Sequence, residues 1–172
     1  KAIAVTRGQQ KVSVHDSETL RAISTKLYEN VQTFSGTVGG VYRSQKSGRG
    51  TLPIKNYTTN LWDISDKELG GFSEEYIRKT FDPQPHPCWA CRLNHATMMR
   101  VTHGPYEGTE VEEPEYEQLA AWGPVVDVKD VAAAFMLSAI TDQLGMDNNE
   151  SGWLIGWIME CYEQGLLTRD EL

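Results

Sequence analysis

Apolar positions recur at helical spacing along most of the chain. After Asp16 and Ser17, which suit a helix N-cap, Leu20, Ile23, Leu27, Tyr28 and Val31 form a stripe that predicts an amphipathic helix facing a core. Before it, Lys1 to Thr6 and Lys11 to Val14 alternate and predict two short strands or an extended edge. Glycine, serine and basic residues from Ser35 to Gly50 predict a loop or a broken helix. Pro53 biases Leu52 away from the helical region, so Leu52 to Tyr57 reads as extended, leading to Leu61-Trp62-Asp63-Ile64. A short helix is expected from Ser73, with Glu74 and Glu75 in its first turn, ending before Asp82-Pro83. Pro83, Pro85 and Pro87 then impose a stiff lead into Cys88. The clearest helices are Val128 to Leu144 and Glu150 to Gln164, the second with Trp153, Leu154, Trp157, Ile158 and Cys161 on one stripe and Gly165 as its C-cap. The expected class is mainly α, a multi-helix domain with a short extended or β N-terminal segment.

Composition narrows the partners. With 172 residues, 40% of them hydrophobic, one domain is the default. Sixteen Lys and Arg against 24 Asp and Glu leave a net charge of -8, which opposes binding to nucleic acid or to an anionic membrane. The longest apolar run, Trp153 to Met159, falls far short of the roughly 20 residues that span a bilayer. Three cysteines, two of them spaced C-x2-C, are no disulfide framework, so a reducing cytoplasm is expected. The start at Lys1 and the end at Thr168 to Leu172 read as those of an internal fragment of a larger multidomain protein.

Three places carry candidate chemistry. Cys88 and Cys91 can converge on one metal, and their spacing alone leaves open a zinc site completed by His95 with His103 or His86, a redox pair or inert thiols, and an iron-sulfur cluster. Cys161, mid-helix on the apolar stripe, reads as a buried core thiol. Asp142-Gln143-Leu144-Gly145-Met146-Asp147 joins two helices through a glycine suited to a left-handed turn; it reads as a C-cap with two solvated acids, or as adjacent acceptors for paired N–H donors. Glu110 to Glu117 has the pattern of a solvated acidic face before a helix.

Together these stretches resemble the aldehyde:ferredoxin oxidoreductase family. Pro85-His86-Pro87-Cys88-Trp89-Ala90-Cys91 is similar to its cluster loop, where three cysteines hold most of a four-iron cluster; here His95 stands in the place of the third. Asp142, Gly145 and Asp147 match the pterin-binding signature D-x-x-G-L-(D/C), with Met146 in place of leucine. Leu52 to Tyr57 is similar to L-P-T-R-N-F, which adds Asn56 to the cofactor-binding candidates, and Glu110 to Glu117 resembles a segment from which a glutamate approaches the metal, making Glu115 and Glu117 the catalytic candidates. The resemblance implies a tungsten-bis-pterin, a [4Fe-4S] cluster on Cys88, Cys91 and His95, oxidation of aldehydes to carboxylic acids, and electron transfer to ferredoxin or an iron-sulfur subunit. It also implies an oligomer, with residues 1–15 as the tail of a preceding β-rich pterin-binding domain and 16–172 as the helical domain. Thr102 to Gly108 and Gly145 to Ser151 look closest to the branch that includes the tungsten subunit of benzoyl-CoA reductase, which reduces an aromatic thioester. The non-enzyme alternative is a zinc-stabilised helical interaction module.

Overall fold

The computed structural model describes residues 3–6, 8–29, 37–89, 91 and 96–172, and divides into two compact units, 1–34 and 35–172. In the first, α1 (Ser17–Glu29) starts where Asp16 caps it, its Oδ1 accepting from the backbone N–H groups of Glu18 at 3.1 Å and Thr19 at 2.9 Å. The helical period is therefore as expected, but the burial is not. No residue of α1 is buried, and Leu20, Ile23 and Leu27 are exposed. An apolar stripe fixes which face of a helix seeks a partner and cannot supply one. Val31 lies outside the described residues. Residues 3–6 and 8–14 form no strand, because alternation makes a strand only where another edge satisfies its backbone.

The second unit opens with a 3-10 turn (Thr37–Gly39) into α2 (Gly40–Lys46), the broken helix the sequence allows. Next, α3 (Asp66–Gly71) begins at a capping box between Ser65 and Glu68. Ser73 caps α4 (Glu74–Thr80) as expected, its hydroxyl accepting from the Tyr76 backbone N–H at 3.3 Å. Where prolines predicted only a stiff lead, the chain makes a small antiparallel sheet, β1 (Gln84–Pro85), β2 (Thr97–Arg100) and β3 (Glu110–Glu112), in the order β1-β2-β3. Pro85 has no N–H to donate and stands on an edge strand, where that costs nothing. Roughly half the chain is helical, and this sheet is its departure from the mainly α expectation. β3 hides in the acidic segment because Val111 between two exposed glutamates is enough to bury one side.

The helices α5 (Tyr116–Trp122), α6 (Val131–Gln143) and α7 (Asn148–Glu163) follow, with a 3-10 turn (Pro124–Val126) after α5. Caps set the last two starts: Asp130 accepts from the Ala132 N–H and Asp147 from the Glu150 N–H, each at 2.9 Å. Phe81 and Phe135 meet in the core with ring centroids 4.6 Å apart, beside Phe72, Ile77, Met99 and Leu119. The expected stripe of α7 is corrected here. Its buried residues are Asn148, Gly152, Gly156 and Cys161, while Trp153, Leu154 and Trp157 are exposed. The glycines let the helix backbone close on its neighbours, since a Cβ at Gly152 would lie 2.6 Å from that of Ala121 and one at Gly156 2.9 Å from Val125 Cγ1. Cys161 is buried as a core thiol.

Candidate functional site

The acid-glycine turn ends α6 in a Schellman motif. Gly145, at φ +67°, donates its N–H to the Asp142 carbonyl at 3.0 Å, and Met146 donates to that of Thr141 at 3.1 Å. Nothing lies within 4 Å of a Cβ built on Gly145, so the outer side of the turn is open. Asp142 Oδ1 accepts from Asn148 Nδ2 at 2.7 Å, and Asn148 Oδ1 accepts from the buried Trp122 indole N–H at 2.7 Å. This chain of bonds fixes the carboxylate against α5 and α7. Partial burial pushes the Asp142 carboxyl above its ordinary range, and the hydrogen bond from Asn148 opposes this. Asp147 uses one oxygen to cap α7, while Met146 beside it is half exposed.

The cysteine pair sits elsewhere in the sheet's plan. Because β1 and β2 are antiparallel, residues 86–96 form the connection between them, and the His86 N–H closes its base by donating to the Ala96 carbonyl at 3.0 Å. Cys88 and Cys91 are exposed free thiols in one turn, the Cys91 N–H donating to the Cys88 carbonyl at 3.1 Å. His95 lies outside the described residues. Among the described residues no three His, Cys, Asp or Glu side chains converge as a metal site.

Strand register brings the acidic segment to this same end. Met98 pairs with Glu112, and the Glu113 N–H donates to the Thr97 carbonyl at 2.7 Å, so β3 exits beside the base of the cysteine hairpin. There the almost fully buried Glu113 carboxylate accepts from Arg78 Nη2 and Thr97 Oγ1, both at 2.7 Å, and Pro114 is buried. Two locked residues thus precede Glu115, whose backbone N–H donates to Gln118 Oε1 at 2.8 Å as it caps α5. Glu117 follows, exposed in the first turn.

Asn56 occupies a turn in which Lys55, Asn56 and Tyr57 all have positive φ, at 46°, 49° and 64°. Such backbone is unfavourable for side chains other than glycine, and here it is held by the Lys55 and Asn56 N–H groups donating to the carbonyls of Pro124 at 2.9 Å and Val125 at 3.0 Å. Asn56 Nδ2 donates to Glu160 Oε2 at 2.6 Å, and the Tyr57 ring lies 6.2 Å from that of Trp153. Burial pushes the Tyr116 hydroxyl above its ordinary range. Glu117 stands in the first turn of α5, and Asn148 tied to Trp122 brings the acid-glycine turn to the other end of that helix, which rises only about 10 Å. The register and these bonds reveal Asn148, Trp122, Glu113 and Glu160 as supports; of these, Glu113 lies in the acidic segment and Asn148 in the stretch after Gly145 that the sequence marked, but their partners are not encoded locally.

The candidate residues thus stand in three places: paired thiols in the β1–β2 connection, a locked acidic segment leaving β3 at the base of that connection, and a helix junction presenting two acids. The chain belongs to the aldehyde ferredoxin oxidoreductase family: residues 17–172 match the family described as aldehyde ferredoxin oxidoreductase, domains 2 & 3. It is 25% identical over 178 residues to the WOR-like subunit of an aliphatic sulfonate oxidoreductase of Pyrococcus furiosus. It is similar, too, to the tungsten-containing aldehyde ferredoxin oxidoreductases of Pyrococcus furiosus, at 26% over 179 residues, and Thermococcus kodakarensis, at 25% over 185. Each alignment covers 100% of this chain and 28% of the relative, so the chain spans little more than a quarter of the length of these curated relatives. No helix among the described residues is long and apolar enough to cross a membrane.

Proposed function

We propose that this chain is part of a tungsten-bis-pterin, iron-sulfur oxidoreductase that converts aldehydes to carboxylic acids and passes electrons to ferredoxin or an iron-sulfur subunit. The observation that carries the reading is the fixed Asp142 carboxylate beside an open glycine turn, within a chain whose family relatives are named as tungsten enzymes. The donor set fits such a group. Asp142 keeps one oxygen, and Asp147 another, for the N–H donors of a flat heterocycle, and Cys88 with Cys91 supplies two thiolates from one turn. When bound, the tungsten-pterin supplies two-electron chemistry at the substrate and the cluster supplies one-electron relay.

The residues of this chain have distinct parts. Asp142 and Asp147 orient the heterocycle, and Asn148 holds Asp142 in place. Glu113, anchored by Arg78, fixes the backbone that carries Glu115 and Glu117 toward the hairpin end of the sheet. Between those two, Glu117 is the better proton carrier, since Glu115 caps α5. Purifying the full protein without oxygen and measuring tungsten, iron and zinc together tests the reading. Tungsten with several irons per chain is expected, with turnover of aldehydes rather than of an aromatic thioester. Stoichiometric zinc without tungsten would replace it with the zinc-stabilised interaction module.

A further inference from the structure

We infer that Glu160 is a positioning residue: it turns the Asn56 amide so that its carbonyl oxygen is presented to a bound flat heterocycle, and so helps retain that ligand. The inference rests on the proposed pterin function and adds a residue to it. A carboxylate has only acceptors, so the amide group lying 2.6 Å from Glu160 Oε2 must be the NH2, which leaves Asn56 Oδ1 on the other side. Among the described residues nothing donates to that oxygen. Glu160 is itself steadied by Gln164 Nε2, which donates to its Oε1 at 2.9 Å, and by its place on α7 one turn beyond Gly156, where the helix closes on Val125 beside the Asn56 turn. The backbone on the other side is fixed by Pro124 and Val125, so the amide has little freedom to turn over. Tyr57 and Trp153 flank the position with exposed or half-exposed aromatic faces, a surface on which a planar ring with N–H donors can stack. Three elements far apart in sequence, the 55–57 turn, the Pro124–Val126 turn and α7, thus converge on Asn56, and the ligand chemistry its amide oxygen fits is a heteroaromatic N–H or amino group.

The test uses the full protein purified without oxygen, with pterin measured by the fluorescence of its oxidised form, iron by elemental analysis and thermal stability alongside. Glu160→Leu should weaken pterin retention about tenfold, the scale of one lost hydrogen bond to an oriented group, with iron content unchanged. Glu160→Gln should restore it, because its carbonyl still accepts from Asn56 Nδ2 while exposed Gln164 turns its amide to match. Asn56→Gly suits the positive φ, keeps the fold and should show the same loss as Glu160→Leu, with no further loss when the two are combined. Full pterin in Glu160→Leu or Asn56→Gly, or loss in Glu160→Gln equal to that in Glu160→Leu, overturns the role of Glu160 while leaving the tungsten reading standing. Wild-type protein without pterin would overturn that reading and this inference together.

Discussion

Cys88 and Cys91 share a turn in which, among the described residues, backbone bonds do the holding, whereas Asp142 and Asp147 are tied to α5 and α7 by a cap and a line of side-chain bonds ending at a buried indole. The difference suits the ligands proposed for each. Paired thiols take their final geometry from a metal when they hold one. Carboxylates that recognise a neutral heterocycle gain only a few hydrogen bonds from it, so their orientation must be fixed in advance by the protein. The acid-glycine turn is organised by its neighbours, with no ligand needed to set it.

The largest expected effect separates the two at once. Replacing both cysteines by serine in the full protein should remove nearly all of the iron and lower the melting temperature by what the cluster adds to this connection, while the pterin stays bound. Iron analysis and thermal melts check this, and iron retained at wild-type level would take the cluster away from this hairpin. Asn148→Ala should act in the opposite sense. It strands the buried Trp122 N–H and releases Asp142, costing about 1–3 kcal/mol of stability and with it pterin binding, but leaving iron in place. An unchanged melting temperature would show that the indole finds another acceptor.

Legibility in the sequence follows the same division. Helix caps are local signals, so Ser73, Asp130 and Asp147 are readable from a few residues, and the starts of α6 and α7 moved only to the nearest good cap. The turn at Gly145 was readable for the same reason. The sheet was not, since β3 carries only one apolar residue and β1 contains a proline; pairing across the hairpin created both. The packing face of α7 was misread because hydrophobic period marks large apolar residues, and here the tight approach uses Gly152 and Gly156, leaving the tryptophans outward. Support from Glu113 and Glu160 depends on partners 35 and 104 residues away, Arg78 and Asn56, at a distance no local pattern encodes.

Asp147 allows a finer cut between its two duties. Asp147→Ala removes both the α7 cap and a carboxylate, whereas Asp147→Ser keeps a capping oxygen. Alanine should therefore cost about 1 kcal/mol of stability and the pterin, and serine the pterin alone. Pterin bound normally by Asp147→Ser would leave this residue with the cap as its whole function.

The smallest effect is also the one whose sign tells most. Partial burial raises the Asp142 carboxyl above its unfolded value, against the weaker pull of the Asn148 hydrogen bond. A carboxyl raised on folding binds its proton more tightly in the folded state, so its contribution favours folding at low pH and turns into a penalty as pH rises through the carboxylate range, complete above the folded pKa. At neutral pH the wild-type chain therefore carries that penalty in full. Asp142→Asn removes the charge but keeps an oxygen for Asn148 Nδ2, and should melt slightly higher at pH 7, the gain being small because the side chain is largely exposed to solvent screening, and vanishing as the pH is lowered below the carboxylate range. Its pterin retention should fall nonetheless, since an amide NH2 meets the heterocycle's donors with another donor. A variant at once less stable at pH 7 and fully loaded with pterin would mean that Asp142 serves the helix junction and nothing bound to it, and the contrast between the two turns would lose one of its sides.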